Sequence, residues 1–261
     1  MKNQSKQENP ARYLSSLEGN PGLGRLLPFS LQQILAMFVS NMIPISVVGA
    51  AASPALSRAE ILCLAQSAMI AAGIATFFRA LGLKDVCLFG ASQGGMIALV
   101  LALEYPELVG RMALGSSSAH VQPEQFRQLE RWIGLARQGA RRELYLAFGR
   151  AIYPPAVFEQ CRDQLLAAAD AVTEEDLARF VILAEGTRGF DVSDRLSGIQ
   201  CPVLALGVYE DGVLDADATM EIAEKLDHRP DFKLYLYVGY GHAAYDTAPD
   251  YRERLLRFFL S

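Results

Sequence analysis

The chain has 261 residues, 51% hydrophobic and 20% charged, with a formal net charge of −5. That length supports a sizeable core in one domain, with room for an inserted subdomain. The composition excludes intrinsic disorder, and the acidic balance excludes the basic footprint of a nucleic-acid binder.

Residues Met1 to Pro10 are polar and lack the apolar stretch of a signal peptide, so 1–12 reads as a tail. Tyr13 to Leu17 is a short strand candidate, Leu31 to Val39 a helix, and the β-branched run Ile43 to Val48 a buried strand. No charge falls between Leu26 and Ser57, or between Ile61 and Phe78. Three prolines interrupt the first run and the second is marginal in length, so both are expected to be buried core, with no membrane insertion.

Ser57 to Leu81 reads as a helix, with Ser57 and Glu60 spaced as a capping box and Gly82 as its stop. Strand Asp85 to Phe89, helix Gln93 to Glu104, a breaker at Tyr105-Pro106-Glu107 and strand Val109 to Leu114 follow. The pattern then changes. From Pro123 to about Asp194 no strand is predicted. Amphipathic helices are expected over Gln125 to Gln138, Arg141 to Ile152, Pro155 to Ala171 and Glu174 to Glu185. Strand Pro202 to Val208, helix Asp217 to Leu226, strand Phe232 to Val238 and helix Asp250 to Leu260 complete the chain. Alternating strands and helices imply an α/β fold, a mostly parallel sheet with helices on both faces. The helical block predicts a cap at 120–194 over a core made of 13–119 and 195–261.

The run Gly90-Ala91-Ser92-Gln93-Gly94-Gly95 sits between an apolar strand and an apolar helix. A serine on such a turn, flanked by glycines, is the context of a nucleophile elbow. Small neighbours let strand and helix approach, and the hydroxyl is presented beside the first helical amides. Serine needs a base to become nucleophilic. Of the three histidines, His228 reads as a solvated helix end and His120 follows a strand end. His242 lies in Gly239-Tyr240-Gly241-His242, just past the last strand, and is the candidate base. The base needs a carboxylate to orient it. Asp211, after strand Val203 to Val208, is the candidate, with its neighbour Glu210 as the alternative acid. Asp215 and Asp217 suit the first turn of the following helix.

These segments, with Tyr105-Pro106-Glu107-Leu108-Val109, resemble the α/β-hydrolase superfamily over about residues 13–261. Its members place Ser, Asp or Glu, and His in this chain order. The resemblance implies a serine hydrolase that cleaves a carboxylic ester or related acyl bond of a small molecule. Ser92 would be the nucleophile, His242 the base and Asp211 the orienting acid. The Gln93 amide would be one oxyanion donor, and an amide near Asn20, in Glu18-Gly19-Asn20-Pro21-Gly22, the second. Glutamate stands there where the family usually has histidine, and the first two strands of the family are missing. Those departures keep open a second reading, a catalytically weak or inactive interaction protein on the same fold. No metal or organic cofactor is implied. The open sheet edge would suit a homodimer. Cys63, Cys87, Cys161 and Cys201, with no C-x-x-C pair, read as buried free thiols of a cytoplasmic protein. Trp132, Tyr145, Phe148 and Tyr153 at helical spacing are expected to form the cap's own core, or else to line a substrate pocket.

Overall fold

The computed structural model describes residues 58–261, with side chains from Met69 onward. The elements expected over 13–48, the Glu18–Gly22 loop with Asn20, and the Ser57–Glu60 cap lie outside the described residues or side chains.

The first described element is helix α1 (Arg58–Ala80). It ends as its glycine predicts. Gly82 adopts φ 68°, its N–H donates to the Arg79 carbonyl at 3.0 Å, and the Leu83 N–H donates to Phe78 at 2.9 Å. These two bonds satisfy carbonyls that the last turn leaves open, and the left-handed residue costs glycine nothing. Strand β1 (Val86–Ala91) follows, then helix α2 (Gln93–Glu104). Pro106 cannot continue α2, and the chain makes one 3-10 turn, Pro106–Leu108, before strand β2 (Val109–Gly115). The cap helices are α3 (Pro123–Arg137), α4 (Arg141–Ile152), α5 (Pro155–Asp170) and α6 (Glu174–Glu185). Strand β3 (Val203–Val208), helix α7 (Asp215–Leu226), strand β4 (Phe232–Tyr237), the short helix α8 (Ala244–Thr247) and helix α9 (Tyr251–Phe259) complete the chain.

The four strands form one parallel sheet in the order β1-β2-β3-β4. All six residues of β3 are buried, so the central strand is covered on both faces. Val203 joins Met112 and Leu114 in the cluster with α1, α2 and α7. Leu204, Leu206 and Val208 join Tyr251 and Phe258 of α9 on the opposite face. This alternation is the period of two that a strand imposes, and the apolar run meets the need of a doubly covered sheet.

The cap grows from the C-terminal side of β2. Its neck is closed by an antiparallel bridge between His120 and Asp191, with Val121 N–H on Phe190 O at 2.9 Å and Val192 N–H on Ala119 O at 2.8 Å. Inside it, Trp132 is 2% exposed and packs edge-on to Phe148, with ring centroids 5.0 Å apart. Leu144 and Leu177 complete that small core. Phe126, Ile133, Ala184 and Phe190 instead join the main core, so cap and sheet share one apolar interior.

The thiols depart from expectation. Cys201 is buried, but Cys87 is exposed and Cys161 half-buried. Cys87 alternates outward on β1, an edge strand among the described residues, so that face lacks the cover β3 enjoys. No described helix is long and apolar enough to cross a membrane.

Candidate active site

Ser92 occupies the turn between β1 and α2 with φ 53° and ψ −125°. A non-glycine residue there carries strain of about 1–3 kcal/mol and persists only when its surroundings hold it. Here they do. The Ser92 N–H donates to Gly115 O on β2 at 2.8 Å, and the Ser92 carbonyl accepts from Gly95 N at 2.9 Å and from the Ser117 hydroxyl at 2.8 Å. A Cβ on Gly90 would overlap the Gly94 carbonyl, and one on Gly95 would overlap the Ser117 side chain. Gly94 has open space beside it among the described residues, so sterics demand glycine at 90 and 95 but not at 94.

The loops after β3 and β4 bring an acid to a base. His242 Nδ1 lies 2.8 Å from both oxygens of Asp211, and the two residues are 4% and 8% exposed. Asp211 Oδ1 also accepts from the N–H groups of Val213 at 2.8 Å and Leu214 at 3.0 Å. Those amides and the imidazole N–H together hold the carboxylate in one orientation. They also fix the tautomer, with the Nδ1 proton facing Asp211 and Nε2 left to accept one. Glu210, the alternative acid, accepts instead from the Gly239 N–H at 2.7 Å and makes no described bond to His242.

Strand spacing of about 4.8 Å puts β1 and β4, the outer strands among the described residues, roughly 14 Å apart. The four steps from Val238 to His242 reach at most about 14 Å, so for His242 to approach Ser92 the chain must turn back over the sheet at once. Gly239 and Gly241, at φ 81° and 67°, make that turn. The returning loop docks on the end of α4. Ala243 N–H donates to Ile152 O at 3.0 Å, and a Cβ on Gly241 would stand 2.8 Å from that same oxygen. A Cβ on Gly212, beside the acid, would overlap the Ala151 carbonyl. Gln125 of α3 adds a second tie, donating to Leu214 O at 2.6 Å while accepting from the Gln122 N–H.

Among the described residues the Ser92 hydroxyl makes no hydrogen bond, to His242 or elsewhere. Contacts of this kind commonly tighten only around substrate. The Gln93 amide is the first of α2, beside Ser92. Its side chain reaches the cap, donating to Leu183 O on α6 at 2.9 Å. Near the His242 loop, burial and then the Asp246 carboxylate push the Tyr153 and Tyr245 phenols above their ordinary range. Both therefore stay neutral donors. Among the described residues no three His, Cys, Asp or Glu side chains converge as metal ligands.

A family model for serine aminopeptidases, S33, matches residues 69–246. The chain belongs to the α/β-hydrolase superfamily. A curated relative assigned as carbamate hydrolase RutD, from Agrobacterium fabrum, is 28% identical over 187 residues, covering 69% of each chain. A 2-hydroxy-6-oxo-6-phenylhexa-2,4-dienoate hydrolase of Comamonas testosteroni is 24% identical, covering 80% of this chain and 74% of its own. In fold, this α/β hydrolase is similar to MGS-M2, an α/β-hydrolase enzyme from a Medee basin deep-sea metagenome library. The TM-score is 0.68, with 23% identity over 74% of this chain and 71% of the other.

Sequence reasoning about this hydrolase missed the tie residues Ser117, Gln125 and Ile152. Gln125 had a local signal, since Gln122 and Gln125 stand at capping-box spacing and form that box. The other two act through carbonyl contacts distant in sequence, which no local pattern encodes. Trp132 belongs to the cap's own core, and Phe148, 38% exposed, packs on it from the surface side. His228 is exposed at a helix end, and His120 lies 3.9 Å from Glu221 in the neck.

Proposed function

We propose that this α/β hydrolase cleaves a carboxylic ester, or a related acyl bond, of a small molecule through an acyl-enzyme on Ser92. Ser92 Oγ attacks the acyl carbonyl carbon while His242 Nε2 takes its proton. The carbonyl oxygen, now an oxyanion, faces the Gln93 amide, and the second donor is an amide at Asn20. Asp211 holds the imidazolium. Collapse expels the alcohol, which takes the proton from His242. Water then attacks the acyl-enzyme with His242 again as base, releasing the acid and restoring Ser92.

The observation that carries this reading is the buried Asp211–His242 pair, with both oxygens at 2.8 Å and two further amides on the carboxylate. A buried acid–imidazole pair so fully bonded costs desolvation if it serves stability alone, and is more natural as a device that holds an imidazole. The relative assigned as a carbamate hydrolase supports an acyl bond with oxygen or nitrogen on the leaving side.

The test is labelling with a fluorophosphonate probe, comparing the native chain with Ser92→Ala and His242→Ala. Labelling that disappears in both variants is expected. The competing reading, an interaction protein on the same fold, draws on the unbonded Ser92 hydroxyl. It would be favoured by a native chain that folds, melts cooperatively and stays unlabelled.

A further inference from the structure

The carbonyl of Ser92 and the N–H of Gln93 belong to one peptide unit. A trans peptide is planar, so these two groups point in opposite directions, and whatever holds the carbonyl also aims the N–H. The Ser117 hydroxyl holds it, donating to the Ser92 carbonyl at 2.8 Å from a side chain only 2% exposed. That bond stands where a rung of the sheet would fall. In a parallel pair, a residue that donates its N–H to one partner residue accepts at its carbonyl from the N–H two residues further along the partner. The Ser92 N–H donates to Gly115 O at 2.8 Å, so the next rung calls for a donor at position 117. Strand β2 has ended by then, and Ser116, at φ 42°, turns the chain out of the ladder. The Ser117 hydroxyl supplies the rung in place of its N–H. Gly95 makes room for it, since a Cβ there would overlap the Ser117 Oγ. The other donors on the Ser92 carbonyl, Gly95 N at 2.9 Å and Met96 N at 3.4 Å, belong to α2 itself and turn with it. Among the described residues only Ser117 ties this carbonyl to the sheet.

Resting on the Ser92 mechanism above, we propose that Ser117 is a positioning residue for acyl transfer: its hydroxyl fixes the plane of the Ser92–Gln93 peptide and so aims the Gln93 N–H at the oxyanion. That N–H is the first of α2 and has no carbonyl one turn back to bond, which leaves it open to a ligand. Its aim matters, because such donors work at about 2.7–3.1 Å from where the oxyanion forms. The same bond polarises the peptide and strengthens the opposite N–H as a donor. Ser117 touches neither substrate nor proton and acts through the peptide alone. Charge on the carbonyl oxygen develops only as the tetrahedral intermediate forms, so the benefit falls on kcat and not on KM.

The experiment compares the full native chain with Ser117→Ala, which removes one oxygen, and Ser117→Cys, which keeps a weaker donor. Losing an oxyanion donor outright costs about 10²–10³ in kcat, so misaiming one in Ser117→Ala should cost about tenfold with p-nitrophenyl acetate, with KM changed less than about twofold. Ser117→Cys should fall between the two. An aryl trifluoromethyl ketone forms an adduct with Ser92 that places an oxyanion at the same spot. Its affinity should fall in Ser117→Ala by the same factor as kcat/KM, a proportion that a packing role would not produce. A third readout needs no turnover. The dipeptide Ser-Gln occurs once in the chain, at Ser92-Gln93, so isotope labels on the serine carbonyl carbon and the glutamine nitrogen single out this peptide by NMR. Its carbonyl resonance should move upfield in Ser117→Ala, as a carbonyl does on losing a hydrogen bond. Unchanged kcat and ketone affinity overturn the proposal, even if Tm falls, and so does a peptide resonance that stays in place. If the native chain turns over no ester and Ser92 stays unlabelled by the fluorophosphonate, the mechanism fails by itself, and the resonance still decides whether Ser117 holds the peptide.

Discussion

Asp211 and Glu210 are chain neighbours with different bonds, and the difference can be measured. Asp211 holds His242 Nδ1, while Glu210 accepts from the Gly239 amide on the surface. Asp211→Asn presents an amide where the imidazole needs an acceptor, which favours the wrong tautomer. A fall in kcat on the order of 10⁴ is expected with p-nitrophenyl acetate, as for other orienting carboxylates. Glu210→Gln should cost far less, and an equal loss in both would move the acid. The elbow glycines make a second contrast. Gly95→Ala drives a methyl into the Ser117 side chain and should destabilise by about 1–3 kcal/mol. Gly94→Ala meets open space among the described residues, so thermal denaturation should leave it close to the native chain. Matching losses at both positions would contradict the geometry.

At the scale of elements, the entry to β3 depends on one ion pair. Arg229 is paired with Asp231 at 2.8 Å and donates to the carbonyls of Ile199 and, at 3.0 Å, Cys201. It thereby staples the segment before β3 to the segment before β4. The Arg229 guanidinium holds the Asp231 carboxyl below its usual range. A carboxyl depressed in the folded state stabilises it above the unfolded value, about pH 4. That contribution is lost as pH falls through the lower folded value. Asp231 is more than a third exposed, so less than about 1 kcal/mol is at stake. Asp231→Asn should therefore lower Tm slightly at pH 7, and the gap to the native chain should shrink as pH falls below about 4 toward the lower folded value. Divergence at low pH would contradict the pairing. Cys201, buried beside this staple, has its thiol pushed up to about 11 by burial, so it stays neutral and unreactive across that range.

Across the whole molecule, the acid loop is held partly by the cap. Gln125 of α3 donates to Leu214 O, and the Leu214 and Val213 amides hold Asp211. Gln125→Ala removes one of the donors on that carbonyl, which also begins α7, and should destabilise by about 0.5–1.5 kcal/mol. It should also lower kcat with little change in KM, because what shifts is the carboxylate that holds His242. A change in stability alone would make Gln125 merely structural.

Legibility in the sequence followed the range of the interactions involved. The bounds of α2, α4 and α6 match their sequence reading because local residues set them: Tyr105-Pro106 after α2, Tyr153-Pro154 after α4, and the Thr173 cap with Asp176 before α6. Helix α7 begins two residues earlier than expected. Asp215 takes φ 54° and accepts the Asp217 N–H at 3.0 Å, so the acid read as first-turn decoration starts the helix. Helix α8, four residues long, has too few turns to show a period. The choice between Asp211 and Glu210 was open because adjacent acids share every feature of spacing. A cavity of about 280 Å³ lined by Gln93, Met96 and Ile97 of α2 and by Ile182 and Leu183 of α6 was invisible for a related reason. Its walls join α1 and α2 to α6 and the turn after it, about eighty residues on, whereas the conspicuous aromatics Trp132 and Phe148 pack on each other.

The end of α4 has a consequence for how such a protein can be altered by exchange of parts. The carbonyls of Ala151 and Ile152 lie against Gly212, Gly241 and Ala243, the neighbours of the acid and the base. A cap transplanted from another scaffold would arrive without that corner, and any side chain larger than hydrogen at 212 or 241 would strike it. The interval Arg141–Pro154 and the two glycines must therefore be inherited, recombined or redesigned together. The segments over the site can diverge in their outer faces and in their cavity walls, but not at this joint.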